Sequence, residues 1–163
     1  MAHIFIGIGS NFNRDNNIIA SINILKKTFG KVTVSHVYES EAVGFKGQNF
    51  YNLVAEFHCD LTIKALINKL KEIELHLGRS RKKTDQVVTA IDLDLLLYDQ
   101  VIDTAYNIPR AEITKNAFVL KPLAELAKNR QHPVLATSYQ ELWLTYPAHK
   151  QKLKEIVLST SPQ

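Results

Sequence analysis

The sequence predicts a single α+β domain built on an antiparallel sheet, and three observations carry that expectation. Short β-branched runs alternate with longer runs of helical apolar spacing, in the order strand, helix, strand, strand, helix, strand. The length, 163 residues, suits one domain with a substantial core. No repeat, low-complexity tract or linker divides the chain, so one domain over residues 1–163 is expected.

The first strand runs from His3 to Ile8, where Ile4, Ile6 and Ile8 alternate with other residues, and it breaks into a loop at Gly9-Ser10-Asn11. From Asp15 to Phe29, the spacing of Ile18, Ile22, Leu25 and Phe29 is helical, and Gly30 stands where a C-terminal cap belongs. Lys31 to Tyr38 is short and β-branched, a second strand. A glycine-containing loop, Gly44 to Asn49, leads to a third strand over Phe50 to Cys59. Leu66, Leu70, Ile73 and Leu77 mark a second helix that ends at Gly78. A basic segment, Arg79 to Gln86, then leads into the apolar strand Ile91 to Tyr98.

This order is the ferredoxin-like split βαβ arrangement, with helices packed on the sheet and one face left for a ligand or for further elements. Beyond it, Val101 to Ile108 is expected to add a short strand. Phe118 to Ala127 is expected to be helical with Pro122 near its first turn. Ser138 and Glu141 have the spacing of a capping box, and Pro147 is expected to open a basic amphipathic helix to about Leu158.

Composition narrows the function classes. Hydrophobic residues make up 45% and charged residues 22%, an ordinary globular balance. Lys and Arg number 20 against 16 Asp and Glu. That mild excess suits phosphate-bearing ligands and is too small to demand nucleic acid. Cys59 is the one cysteine, so no internal disulfide forms, as befits a reducing compartment. The N-terminal apolar run is too short for a secretory core and no stretch reaches membrane-spanning length. A cytoplasmic protein without membrane contact is expected.

The chemistry concentrates in Ile91-Asp92-Leu93-Asp94-Leu95-Leu96-Leu97-Tyr98. Side chains of a strand alternate, so Asp92 and Asp94 point one way and Leu93 the other. Two like charges on one face of a buried strand repel each other and are costly to desolvate. A cation above them removes that cost, and magnesium, a hard ion that keeps waters and shares phosphate oxygens with a substrate, fits two carboxylates. The alternative is pairing with Lys and Arg at a sheet edge. The run Arg79-Ser80-Arg81-Lys82-Lys83 reads either as a solvated helix flank or as a grip on phosphates facing the same cleft. Asn52 shares a strand face with Phe50 and Val54, where an amide beside an aromatic can meet the edge of a flat heterocycle or bond a nearby loop. Other sites are excluded. Gly7-Ile8-Gly9 starts like a dinucleotide fingerprint but has Phe12 in place of the third glycine. There is no P-loop and no zinc spacing among the dispersed histidines, and Ser10 and Ser40 lack the setting of an activated nucleophile.

Several segments, taken in order, carry a resemblance: Gly9-Ser10-Asn11; Tyr38-Glu39-Ser40; Gly44 through Gln48-Asn49-Phe50-Tyr51-Asn52; Glu74 through Gly78-Arg79-Ser80-Arg81; Ile91 through Leu97; and Phe118-Val119-Leu120-Lys121-Pro122-Leu123. The chain resembles the 6-hydroxymethyl-7,8-dihydropterin pyrophosphokinase family over nearly its whole length. The resemblance implies transfer of the β,γ-diphosphate of ATP to the hydroxymethyl oxygen of a reduced pterin, with release of AMP, in folate biosynthesis. It implies two magnesium ions on Asp92 and Asp94, and Arg79 stabilising the transferred diphosphate. Arg81 and Lys82 fall at ATP-phosphate positions, and Glu74 and Leu95 at nucleotide contacts. Asn52 would read the pterin edge between Phe50 and Phe118, with Ser40 and Val43 beside it. The partners implied are small molecules, ATP and a reduced pterin, bound by a monomer.

The chain also departs from the family pattern. Gln86-Val87-Val88-Thr89-Ala90 stands where a Gly-Pro-Arg element is usual, with Thr89 in place of its arginine. Pro109-Arg110 replaces Pro-His, Asn116-Ala117 replaces an arginine-bearing pair, and Glu41 replaces a proline. Arg110, Lys82 and Lys83 are the cations placed to restore phosphate charge. The alternative reading is a relative that holds a pterin without transferring phosphate to it.

Overall fold

The computed structural model describes residues 1–40, 48–78, 81–83, 86–147 and 151–159, with the backbone alone for 81–83, 86 and 87. Strand β1 (Ala2–Ser10) is followed by helix α1 (Arg14–Phe29), β2 (Thr33–Val34), β3 (Val37–Ser40), β4 (Phe50–Cys59), helix α2 (Ile63–Leu77), β5 (Arg81–Lys83), β6 (Gln86–Val88) and β7 (Asp92–Tyr98). Helices α3 (Ala117–Leu126) and α4 (Tyr139–Thr145) and strand β8 (Leu153–Ile156) complete the order.

The main sheet has six strands in the order β7-β1-β4-β3-β8, with β2 on β4, and every pair is antiparallel. Its first four strands, taken as β1, β3, β4 and β7, have the split βαβ order that the sequence predicts. The two helices of the motif form where the apolar spacing places them. α1 buries Ile18 and Leu25, α2 buries Leu66, Leu70 and Ile73, and Gly30 and Gly78 take positive φ at their C-terminal ends.

Helices cover both faces. On one, Ile4, Ile6, Ile8, Leu53, Ala55, Phe57, Leu93 and Leu95 pack against α1 and α2. On the other, Phe5, Val54, Leu96 and Leu97 pack against Leu120 and Leu123 of α3 and Tyr139 of α4. The register of β7 on β1 shifts between Phe5 and Ile6, so Leu97 pairs with Phe5 but Leu95 with Ile6. That bulge turns Leu96 and Leu97 toward the same side. No helix among the described residues is long and apolar enough to cross a membrane.

Four expectations are corrected. Lys31 to Tyr38 is two short strands, because Ser35 turns its hydroxyl to Val54 N (2.9 Å) and interrupts the run. Val101 to Ile108 is no strand. Asp103 caps Ala105 N at 3.1 Å, Thr104–Tyr106 make a 3-10 turn and Asn107 is left-handed, so turn chemistry overrides the β-branched residues. Pro122 lies at the sixth position of α3, leaving the Phe118 carbonyl without its i+4 donor. Residues 148–150 of the expected C-terminal helix lie outside the described residues, and its described part holds β8 instead, whose Leu153 to Ile156 pair with Ser40 to Val37. An open edge of β3 supplies backbone partners that spacing alone does not reveal. The basic segment after α2 contributes β5 paired with β6. The Ser138 cap stands as expected, accepting from Glu141 N at 3.2 Å.

Candidate active site

Alternation along the three adjacent strands builds the site. Ile6 and Ile8 of β1 enter the α1/α2 core, so Gly7 and Gly9 face the other way. On β4, Leu53 is core and Asn52 and Val54 face outward from it. On β7, Leu93 and Leu95 are core and Asp92 and Asp94 lie on the opposite face. The result is a cleft of about 290 Å³ between this face and α3. Ser40, Phe50, Asn52, Asp92, Asp94, Arg110 and Phe118 all line it, bringing together seven of the residues singled out in the sequence.

The acids are strained by their surroundings. Asp94 retains 35% of its side-chain exposure, yet burial is the largest cause pushing its carboxyl up to about 8. The hydrogen bond and the charge of Asp92 add to that shift, and Arg110 opposes it. Asp92 is also raised, first by burial and then by the neighbouring Glu74 carboxylate. A pair that resists losing both protons is a hard-oxygen site short of positive charge. Arg110 supplies part of that charge. Its Nη2 lies 3.6 Å from Asp94 Oδ1 and its Nε donates to Glu112 Oε2 at 3.1 Å. The Arg110 backbone N–H bonds Leu96 O (3.0 Å), fixing the residue against the outer edge of β7.

Further contacts position the walls. Asn52 Nδ2 donates to Ser40 Oγ at 2.9 Å, tying β4 to β3 and leaving Oδ1 above Gly9. A Cβ built on Gly9 would stand 3.0 Å from that oxygen, so any larger residue here would push the Asn52 amide by a few tenths of an ångström. Ser10 Oγ donates to Ala90 O (2.6 Å), and Asn11 accepts from Thr89 N (2.5 Å) while donating its own N–H to Thr89 O (3.0 Å). Gly9-Ser10-Asn11 therefore anchors the start of the aspartate strand. Thr89 itself is buried at 6% exposure, turned into this anchor.

Some expected residues lie elsewhere. Leu95 is in the α1/α2 core, because it alternates with Asp94. Glu74 does not line the cleft; its Oε2 accepts from Leu93 N at 2.7 Å, capping the free edge of β7. Val43 and Arg79 fall outside the described residues, as do the side chains of Arg81 and Lys82. Among the described residues no group of three or more His, Cys, Asp or Glu could hold a metal. Asp92 and Asp94 would thus give a magnesium ion two protein oxygens and leave its other positions to water and substrate, as that ion prefers. Residues that the sequence reading missed are Gly7, Gly9, Glu112, Asn116 and Val119. The alternation Ile6-Gly7-Ile8-Gly9 held the signal for the glycines.

Fold and cleft define an α+β protein with an acid pair and two aromatic rings around one pocket. Among solved structures, HPPK-DHPS of Plasmodium falciparum shares the fold, with a TM-score of 0.68 at 13% identity, over 91% of this chain and 41% of that one. Residues 5–128 match the model of the 7,8-dihydro-6-hydroxymethylpterin-pyrophosphokinase family, and the chain belongs to that family. The 2-amino-4-hydroxy-6-hydroxymethyldihydropteridine pyrophosphokinase of Aquifex aeolicus is 34% identical over 145 residues, 86% of this chain and 90% of that protein. Its namesake in Bacillus subtilis is 29% identical over 163 residues, 96% and 97% of the two chains.

Proposed function

We propose that the cleft transfers the β,γ-diphosphate of ATP to the hydroxymethyl oxygen of 6-hydroxymethyl-7,8-dihydropterin and releases AMP, a step of folate biosynthesis. The observation that supports it most is the placement of Asp92 and Asp94 on the wall that also carries Asn52, Phe50 and, across the cleft, Phe118. Phosphate chemistry and heterocycle recognition thereby share one pocket.

Phe50 and Phe118 hold the flat ring by stacking, and Asn52, with Nδ2 committed to Ser40, offers Oδ1 as an acceptor to the ring's amino edge. Asp92 and Asp94 would hold two magnesium ions. When bound, these ions neutralise phosphate charge and make the pterin hydroxyl more acidic. Arg110, held by Glu112, presents its guanidinium to phosphate oxygens from the side of α3. Arg79, Arg81 and Lys82 add phosphate-binding charge by the family resemblance. As the hydroxyl gives up its proton to water, its oxygen bonds the β-phosphorus, and the bond from that phosphorus to the bridging oxygen breaks, that oxygen leaving with AMP. The chain acts as a single-domain cytoplasmic monomer.

The test is AMP formation from ATP by the purified protein, with and without the pterin and with and without magnesium. Release of AMP that needs both is expected. A protein that makes no AMP across a range of both substrates would refute the proposal.

A further inference from the structure

The start of α3 is held by a residue far along the chain and outside the matched family region. Asn116 occupies the N-cap position of α3, yet its side chain makes no capping bond. The first N–H of the helix, that of Ala117, donates instead to Gln151 Oε1 at 2.7 Å. Gln151 Nε2 in turn donates to Asn116 Oδ1 at 3.2 Å. Gln151 lies just before β8, whereas the family match ends at residue 128.

These two bonds decide the orientation of both amides. A backbone N–H can only donate, so the Gln151 atom facing Ala117 must be oxygen. Its other terminal atom is then the NH2 group, and the Asn116 atom it meets must be oxygen as well. Asn116 is left with Nδ2, which makes no hydrogen bond among the described residues, and Asn116 lines the cleft between Glu112 and Phe118. Asn52, on the facing wall, has the opposite polarity, with its nitrogen bonded to Ser40 Oγ and its oxygen above Gly9.

We propose that Gln151 is a positioning residue that locks Asn116 with its NH2 group toward the cleft, making Asn116 a donor that selects an acceptor atom on the heterocyclic substrate. This rests on the pterin reading above. The cleft then offers an acceptor from Asn52 and a donor from Asn116, and a ring with the complementary edges is favoured over one with the pattern reversed.

Gln151→Glu separates positioning from mere support. Glutamate still accepts from Ala117 N–H, and its charge suits a helix N-terminus, so α3 keeps its cap. It also faces Asn116 with an acceptor, which obliges Asn116 to flip and show Oδ1 to the cleft. Calorimetry with 6-hydroxymethyl-7,8-dihydropterin should show affinity about tenfold weaker in Gln151→Glu. Affinity for a non-hydrolysable ATP analogue and the melting temperature should be unchanged. In an Asn116→Ala background, the same change should alter pterin affinity less than about twofold. The Asn116 side-chain NH2 protons, followed by NMR, should exchange more slowly with solvent in Gln151→Glu than in wild type. Equal weakening in both backgrounds, a loss confined to the nucleotide, or unaltered proton exchange would overturn the proposal. A wild type that bound no pterin would sink the substrate reading alone, and the exchange comparison would still decide whether Gln151 sets the amide.

Discussion

The two faces of β1, β4 and β7 differ as much as any two regions of this molecule, though they are made by alternate residues of the same strands. Toward α1 and α2 stand Ile6, Ile8, Leu53, Leu93 and Leu95, a dry aliphatic layer. Toward the cleft stand Gly7, Gly9, Asn52, Asp92 and Asp94. The first face contributes burial and no polar debt. The second contains two acids pushed above their ordinary range and an amide against a bare glycine. Parity along a strand thus separates stability from chemistry at a spacing of one residue. The apolar face holds the polar one in a geometry that it would not keep alone.

Substitutions on the two faces should therefore fail in different ways. The largest effect belongs to Asp92→Ala and Asp94→Ala, which should lower the rate of AMP release by about a thousandfold or more. Neither should lower the melting temperature, since each removes an acid that resists ionisation. A marked loss of stability in these variants would mean that the acids belong to the structural layer. Next comes Leu93→Ala, one residue away on the other face and 5% exposed. It should cost about 2–5 kcal/mol in urea unfolding, with turnover per folded molecule preserved.

The glycines give a finer comparison. Gly9→Ala brings a Cβ to 3.0 Å from Asn52 Oδ1, and Gly7→Ala only to 3.6 Å from Leu96. Pterin affinity should fall about tenfold for the first and less than about twofold for the second. Similar losses at both would show that the Asn52 amide is not what the glycine protects.

A last comparison is one of pH. Asp94 holds its proton to about 8, whereas in the unfolded chain it would lose it near 3.8. Between those values the folded protein binds a proton that the unfolded chain has released. Its contribution to stability therefore declines as pH rises from about 4 to 8 and is level above that. Melts of ligand-free protein should show this decline in wild type and a shallower one in Asp94→Asn. Parallel slopes would contradict the raised carboxyl.

Much of this was legible in the sequence because it is local. Phe50 to Cys59 is a strand over its expected span, α2 ends at Gly78, and the parity of Asp92 and Asp94 follows from the pleat. What escaped depends on partners distant in the chain. Leu153 to Ile156 becomes a strand because β3 offers a free edge. Asn116 owes its orientation to Gln151, 35 positions away. Thr89, in the place of a family arginine, is drawn into a backbone clasp with Asn11 that residue type alone does not foretell.

In the proposed reaction Asp92 and Asp94 act together as a seat for divalent ions facing the nucleotide. Manganese(II) uptake in the presence of a non-hydrolysable ATP analogue, followed by electron paramagnetic resonance, addresses it most directly. Wild type should take up manganese beyond what the analogue binds by itself, and a folded Asp92→Asn/Asp94→Asn variant should not. Equal uptake by the two proteins would contradict the account.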